Sequence, residues 1–162
     1  MSSRTTVPPQ LEAPGAGLPA FELAWLRILF RFACRVMSLH AGLRWFKFEA
    51  RRIVALAGRA AAAQCTVPVL IDRVVGIEDS SRYWSVFMVL DHLRIVDEGI
   101  TQILEALTDN RLFGQEVRIQ DVKPNPRSGP DTINRFLKAV GGYESTVTRL
   151  GRLGHHVRHP YP

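Results

Sequence analysis

Two groups of residues in this chain have types and spacing suited to chemistry. In the first, Trp84-Ser85 is followed seven positions later by His92-Leu93. Seven residues make about two helical turns, so Ser85 and His92 share one helix face. An imidazole can ligate a metal or carry a proton near neutral pH. On a helical wheel His92 lies roughly 80° from the centre of the apolar stripe of its segment. From that shoulder the ring can point into a bundle interior. The plainer alternative is a lone flank histidine with one hydrogen bond. In the second group, His155 and His159 stand i, i+4 apart, with His156 between them. One helical turn would set both rings on one face, a metal-pair geometry. Pro160 opposes this, because the residue before a proline is pushed out of the helical region.

Three carboxylates, Asp91, Asp97 and Glu98, lie close to His92 in sequence. Asp91 and Glu98 share a face, yet a general base needs hydrogen-bond reach to its proton. The expectation for all three is solvated helix charges. Lys123 can meet an anion at a bundle mouth, with an ordinary surface lysine as the plainer reading. The chain has no GxSxG, P-loop, GxGxxG or CxxC. Gly141-Gly142 is flanked by helical sequence on both sides and fits no phosphate loop.

The run from Arg82 to Leu93, RYWSVFMVLDHL, resembles the DinB-like proteins, also called the DinB/YfiT group. The similarity extends through Gly76-Ile77-Glu78-Asp79 and more thinly over residues 45–162. It implies an all-α fold, an up-down helical bundle in which a helix begins near the Trp-Ser pair. It also implies that His92 is the first ligand of a divalent metal, zinc or nickel, with Trp84 an anchor at the bundle mouth. Some members are thiol-dependent transferases or isomerases, so the implied activity is metal-dependent transfer or hydrolysis with a small-molecule thiol as substrate. The family's other two ligands form an HxxxH pair on a fourth helix. Here the resemblance implies that residues 1–162 lack that helix, with His159-Pro160 as the His-Pro that often precedes it. The rival reading has His92, His155 and His159 hold the metal together. An incomplete bundle would leave apolar stripes bare and favour a homodimer.

These residues need elements to position them. With 162 residues, 46% of them apolar and 22% charged, the chain fits one ordinary globular domain. Residues 1–19 are rich in proline and glycine and read as a flexible leader, with the bundle in 20–162. The segment from Phe21 to Met37 reads as a helix with Arg27, Arg31 and Arg35 in one polar row. It either closes the bundle core or lies on an anionic membrane or a partner. Glu22 and the arginines make it too charged to span a bilayer. After a break around His40–Gly42, Phe46 to Gln64 keeps helical period, and the two stretches read either as one kinked helix or as two separate ones. Val69 to Ile71 forms an extended strap, with Val117 to Val122 as its one candidate pairing partner. Arg82 to Leu107 holds the i, i+3, i+4, i+7 rule longest and takes Ser80 or Ser81 as its cap. A last helix begins at Asp131, interrupted by Gly141-Gly142. The net charge of +6 favours acidic partners, but no nucleic-acid-binding motif accompanies it. Cys34 and Cys65 are spaced for neither zinc nor a disulfide framework, and Cys34 reads as buried filler in a cytoplasmic protein.

Overall fold

The computed structural model describes residues 9–109 and 119–153. Helix α1 covers Ala20–Val36 and α2 covers Leu39–Ala57. A single turn, α3, follows at Ala62–Cys65. Two short strands, β1 at Val69–Leu70 and β2 at Tyr83–Trp84, flank a loop with a 3-10 turn at Asp79–Ser81. Helix α4 runs over Val86–Thr108, a second 3-10 turn over Ile119–Val122, and α5 over Asp131–Leu153. The fold is therefore all-α in character, with a two-residue ladder on one side.

Three helices make the core. The long face of α4 lies along α5, and α2 packs across α5. Ala50 and Ala57 of α2, Phe87 and Leu90 of α4, and Phe136 and Val140 of α5 meet there together with Cys65. Small residues on α2 let the large rings of α4 and α5 come close. Polar ties fix the register. Lys47 of α2 pairs with Glu144 of α5, and Thr146 of α5 donates to Glu105 of α4 at 3.2 Å.

Local chemistry explains the element boundaries. Ser38 caps α2, its hydroxyl accepting from the Ala41 amide at 3.2 Å. The break expected at His40–Gly42 therefore falls earlier, and α1 and α2 are separate helices. Gly42 lies within the first turns of α2, where a Cβ would make only ordinary contact with the Met37 sulfur at 3.4 Å. The stretch expected as one helix to Gln64 ends at Ala57 and resumes as α3. Gly141-Gly142 does not interrupt α5, because Phe136, Val140 and Val147 bury its face on both sides of the pair.

The strap found a different partner from the one expected. Val69 pairs antiparallel with Trp84 and Leu70 with Tyr83, and the Ile71 amide donates to Arg82 at 3.0 Å. Of the expected partner Val117–Val122, residues 117 and 118 lie outside the described residues, and 119–122 form a 3-10 turn. The ladder also corrects the start of α4. Tyr83 and Trp84 are strand, and the helix is capped by Ser85 rather than Ser80 or Ser81. The Ser85 hydroxyl accepts from the Met88 amide at 3.2 Å. Cys34 is exposed, against the expectation of buried filler.

Residues 1–8 of the expected leader lie outside the described residues. Residues 12–17 are held rather than loose. The Glu12 amide donates to Asp79 at 2.9 Å, and the amides of Gly15 and Gly17 donate to Glu78 Oε1 at 2.8 and 3.1 Å. Both glycines take φ near +90°, which a side chain would oppose.

Candidate functional site

His92 sits half-buried on α4, on the side of the helix that faces the β1–β2 loop. Its Nδ1 lies 2.6 Å from the Val122 carbonyl oxygen. A carbonyl only accepts, so Nδ1 carries the proton and donates. In the neutral ring Nε2 then holds a free lone pair. Among the described residues nothing else bonds this ring. The Trp84 ring stands 5.0 Å away at 55°, bracing one flank.

The ring lines a pocket of about 640 Å³. Leu18 and Leu23 close it from the leader and α1, Ile71 and Ile77 from the loop, and Trp84 and Val89 from the start of α4. The wall is mainly apolar, with Glu78 and Ser81 the polar exceptions. A mostly apolar cavity with a few convergent polar groups is the usual form of a small-molecule site.

The loop that carries the Val122 carbonyl is itself anchored. Asp91, next to His92, is buried and accepts from the Asn125 amide at 2.9 Å. Arg94 pairs with its other oxygen at 3.0 Å and with Glu98 at 2.6 Å. Burial pushes the Asp91 carboxyl up, but the Asn125 amide, Arg94 and Ser128 outweigh it and hold it below its ordinary value. So Asp91 is a positioning residue. It fixes the 123–128 loop against α4 and thereby fixes the acceptor that orients His92.

A second polar node lies at the pocket mouth. Glu78 accepts from Gly15, Gly17 and Ser80 and lies 3.5 Å from Lys123 Nζ. Burial raises its carboxyl, and the bonds from Ser80, Gly17 and Gly15 with the Lys123 charge more than reverse this. Lys123 donates to Ser80 at 2.8 Å and stands 5.3 Å from the Trp84 ring centre. The same lysine thus bridges the loop, the leader's anchor and the aromatic wall.

The structure revises several expected roles. Asp91 and Asp97 are buried rather than solvated, and only Glu98 is exposed. Lys123 is engaged rather than an ordinary surface lysine. Ser85 spends its hydroxyl on the α4 cap. His155, His156 and His159 lie outside the described residues. Among the described residues no group of three histidine, cysteine, aspartate or glutamate side chains is placed to hold a metal. One imidazole nitrogen therefore suits a cation, and the described residues do not complete a ligand set around it. Glu78 entered the sequence reading only within the Gly76–Asp79 stretch of the resemblance, and the Asp91–Asn125 tie carried no sequence signal.

No protein-family model, no curated protein and no solved structure matches this chain. What fold and site define is a mostly helical protein with a small-molecule-sized pocket beside His92. No helix among the described residues is long and apolar enough to cross a membrane.

Proposed function

We propose that this chain is a DinB-like helical-bundle protein that binds a divalent cation, zinc or nickel, with His92 Nε2 as one ligand. One observation carries the reading. The Nδ1–H bond to the Val122 carbonyl fixes the tautomer and leaves Nε2 as the basic nitrogen beside the pocket. A backbone carbonyl behind a metal-ligating histidine does the same in known metal sites, setting ring orientation and raising ligand basicity. The pocket's apolar wall suits the carbon skeleton of a small molecule, and a low-molecular-weight thiol is the class that the cation would favour. A bound divalent cation supplies thiol activation, by lowering the thiol pKa and holding the thiolate. The chain's own residues do the rest. Trp84 and Ile71 form part of the pocket wall, Val122 holds the imidazole, and Asp91 holds the loop that bears Val122.

The remaining ligands are proposed to come from His155 and His159, or from an HxxxH pair on a further helix. Titration of the full chain with zinc or nickel by calorimetry tests the reading. Stoichiometric binding that His92→Ala abolishes is the expected result. Double substitution His155→Ala/His159→Ala then separates the two ligand sets, since it removes binding only if those residues take part. Binding left intact in the His92→Ala chain would defeat the proposal.

A further inference from the structure

Helix α1 buries its carboxylate and leaves most of its large apolar side chains exposed. Its one carboxylate, Glu22, is the buried residue of the helix, 2% exposed. Arg73 pairs with it at 2.6 Å and the Gly76 amide donates to it at 3.3 Å. Leu26 packs against Gly76, whose φ of +85° makes the turn that allows both contacts. These ties hold the inner edge of α1 to the loop and set which way the rest faces. Phe21, Trp25, Ile28, Leu29, Phe32 and Val36 are all exposed, Trp25 and Phe32 each to 63%. On a wheel of 100° per residue these six fall within a sector of roughly 100°, while Phe30, 71% exposed, lies on the opposite side. A helix that closed a core would show the opposite arrangement, so the core-closing expectation for this segment does not hold among the described residues.

The next sector of the wheel carries Arg27, Arg31 and Arg35, all exposed. None has an ion-pair partner among the described residues. An occupant of this face must therefore offer apolar volume and negative charge side by side. A second copy meeting this face with its own α1 offers only the same three guanidinium groups and no exposed carboxylate. An anionic bilayer offers both, acyl chains for the rings and phosphates or carboxylates for the arginines. Aromatic and aliphatic side chains beside a basic row are the composition of helices that lie in the membrane interface.

We propose that the outer face of α1 docks on an anionic lipid surface, with Trp25 and Phe32 at the acyl boundary and the arginine row at the headgroups. The site is independent of His92. The test is flotation of the full chain with vesicles of phosphatidylcholine alone and of phosphatidylcholine enriched in phosphatidylserine. Flotation with the anionic vesicles only is expected. The triple substitution Arg27→Gln/Arg31→Gln/Arg35→Gln should weaken it by about 100-fold, at roughly fivefold per arginine. Ile28→Asp/Phe32→Asp should also abolish it, with circular dichroism and melting unchanged because both positions are exposed. Brominated lipid gives a readout that needs no charge variant. It should quench the tryptophan fluorescence of the native chain, and Trp25→Phe should remove most of that quenching. The proposal fails if the native chain does not float with anionic vesicles, or if all variants float alike. It also fails if Trp25→Phe leaves quenching intact, or if these substitutions dissolve a lipid-free dimer instead.

Discussion

Phe87→Ala should destabilise the chain by about 3–5 kcal/mol, the usual cost of deleting a fully buried phenyl ring. Phe87 is 2% exposed and lies where α2, α4 and α5 meet, among Ala50, Ala57, Leu90, Phe136 and Val140. The alanines on α2 cannot extend to fill the space, so the cavity persists. Domains of this size have only about 5–15 kcal/mol in total, so the variant should stand near its unfolding threshold. Urea denaturation followed by circular dichroism measures the loss. Phe87→Leu keeps most of the volume and should cost under about 1.5 kcal/mol. A loss below about 1 kcal/mol for Phe87→Ala would mean that the three helices do not meet at this ring.

Asp97→Asn should do the reverse and stabilise the chain at neutral pH. Asp97 is 8% exposed, and its Oδ2 is buried without a hydrogen-bond partner. Burial, with a smaller contribution from the Glu98 charge, pushes its carboxyl from 3.8 up to about 6. The unfolded chain ionises it near 3.8 and the folded chain only near 6. Between those values the unfolded state gives up its proton first, so stability falls as pH rises through this window. Below about 3.8 the penalty is absent, and above about 6 it is complete. A shift of about two units corresponds to roughly 3 kcal/mol as an upper bound. Asn is neutral throughout, so Asp97→Asn should gain about 2–3 kcal/mol at pH 7.5 and little at pH 4. Asp91 and Glu78 act in the opposite sense and in a lower range. Their carboxyls are held below ordinary values, so their contribution is lost only on stronger acidification. Thermal melts of both chains at the two pH values check the sign. Equal stability gains at both values would contradict it. Tyr143, raised by burial and by the Asp97 charge, should titrate lower in the variant.

The long periodic elements were legible in the sequence because their signal is local. The α4 helix and the Asp131 start of α5 need only a 3.6-residue repeat, and both helices formed, although Val86, Val89 and Ile100 of the expected α4 stripe are exposed and Ser85 supplies the cap. Boundaries that depend on distant partners were not legible. Tyr83-Trp84 reads as the first turn of a helix, and only the backbone of Val69–Leu70 makes it a strand. Asp91 reads as a solvated helix charge, and the amide that buries it comes from Asn125, 34 positions later. The arginine row of α1 was visible, but which face turned outward was decided by Arg73 reaching Glu22 from the loop.

The candidate site shows the same division. The shoulder position of His92 follows from the helical wheel alone, and the structure places its ring beside a pocket. The Val122 carbonyl that fixes the tautomer lies 30 residues away and has no side-chain signature at all. The node of Glu78, Lys123 and the leader amides depends on three separate segments. No local pattern could have assembled it.

The ring nitrogens of His92 give the most direct view of the central claim. A long-range proton–nitrogen NMR spectrum distinguishes a protonated nitrogen from a bare one. With His92→Gln used for assignment, Nδ1 should show the protonated shift and Nε2 the bare one, and zinc should move Nε2 while leaving Nδ1 protonated. A protonated Nε2 with a bare Nδ1, or an Nε2 signal that ignores saturating zinc, would contradict the metal-ligand reading of this histidine.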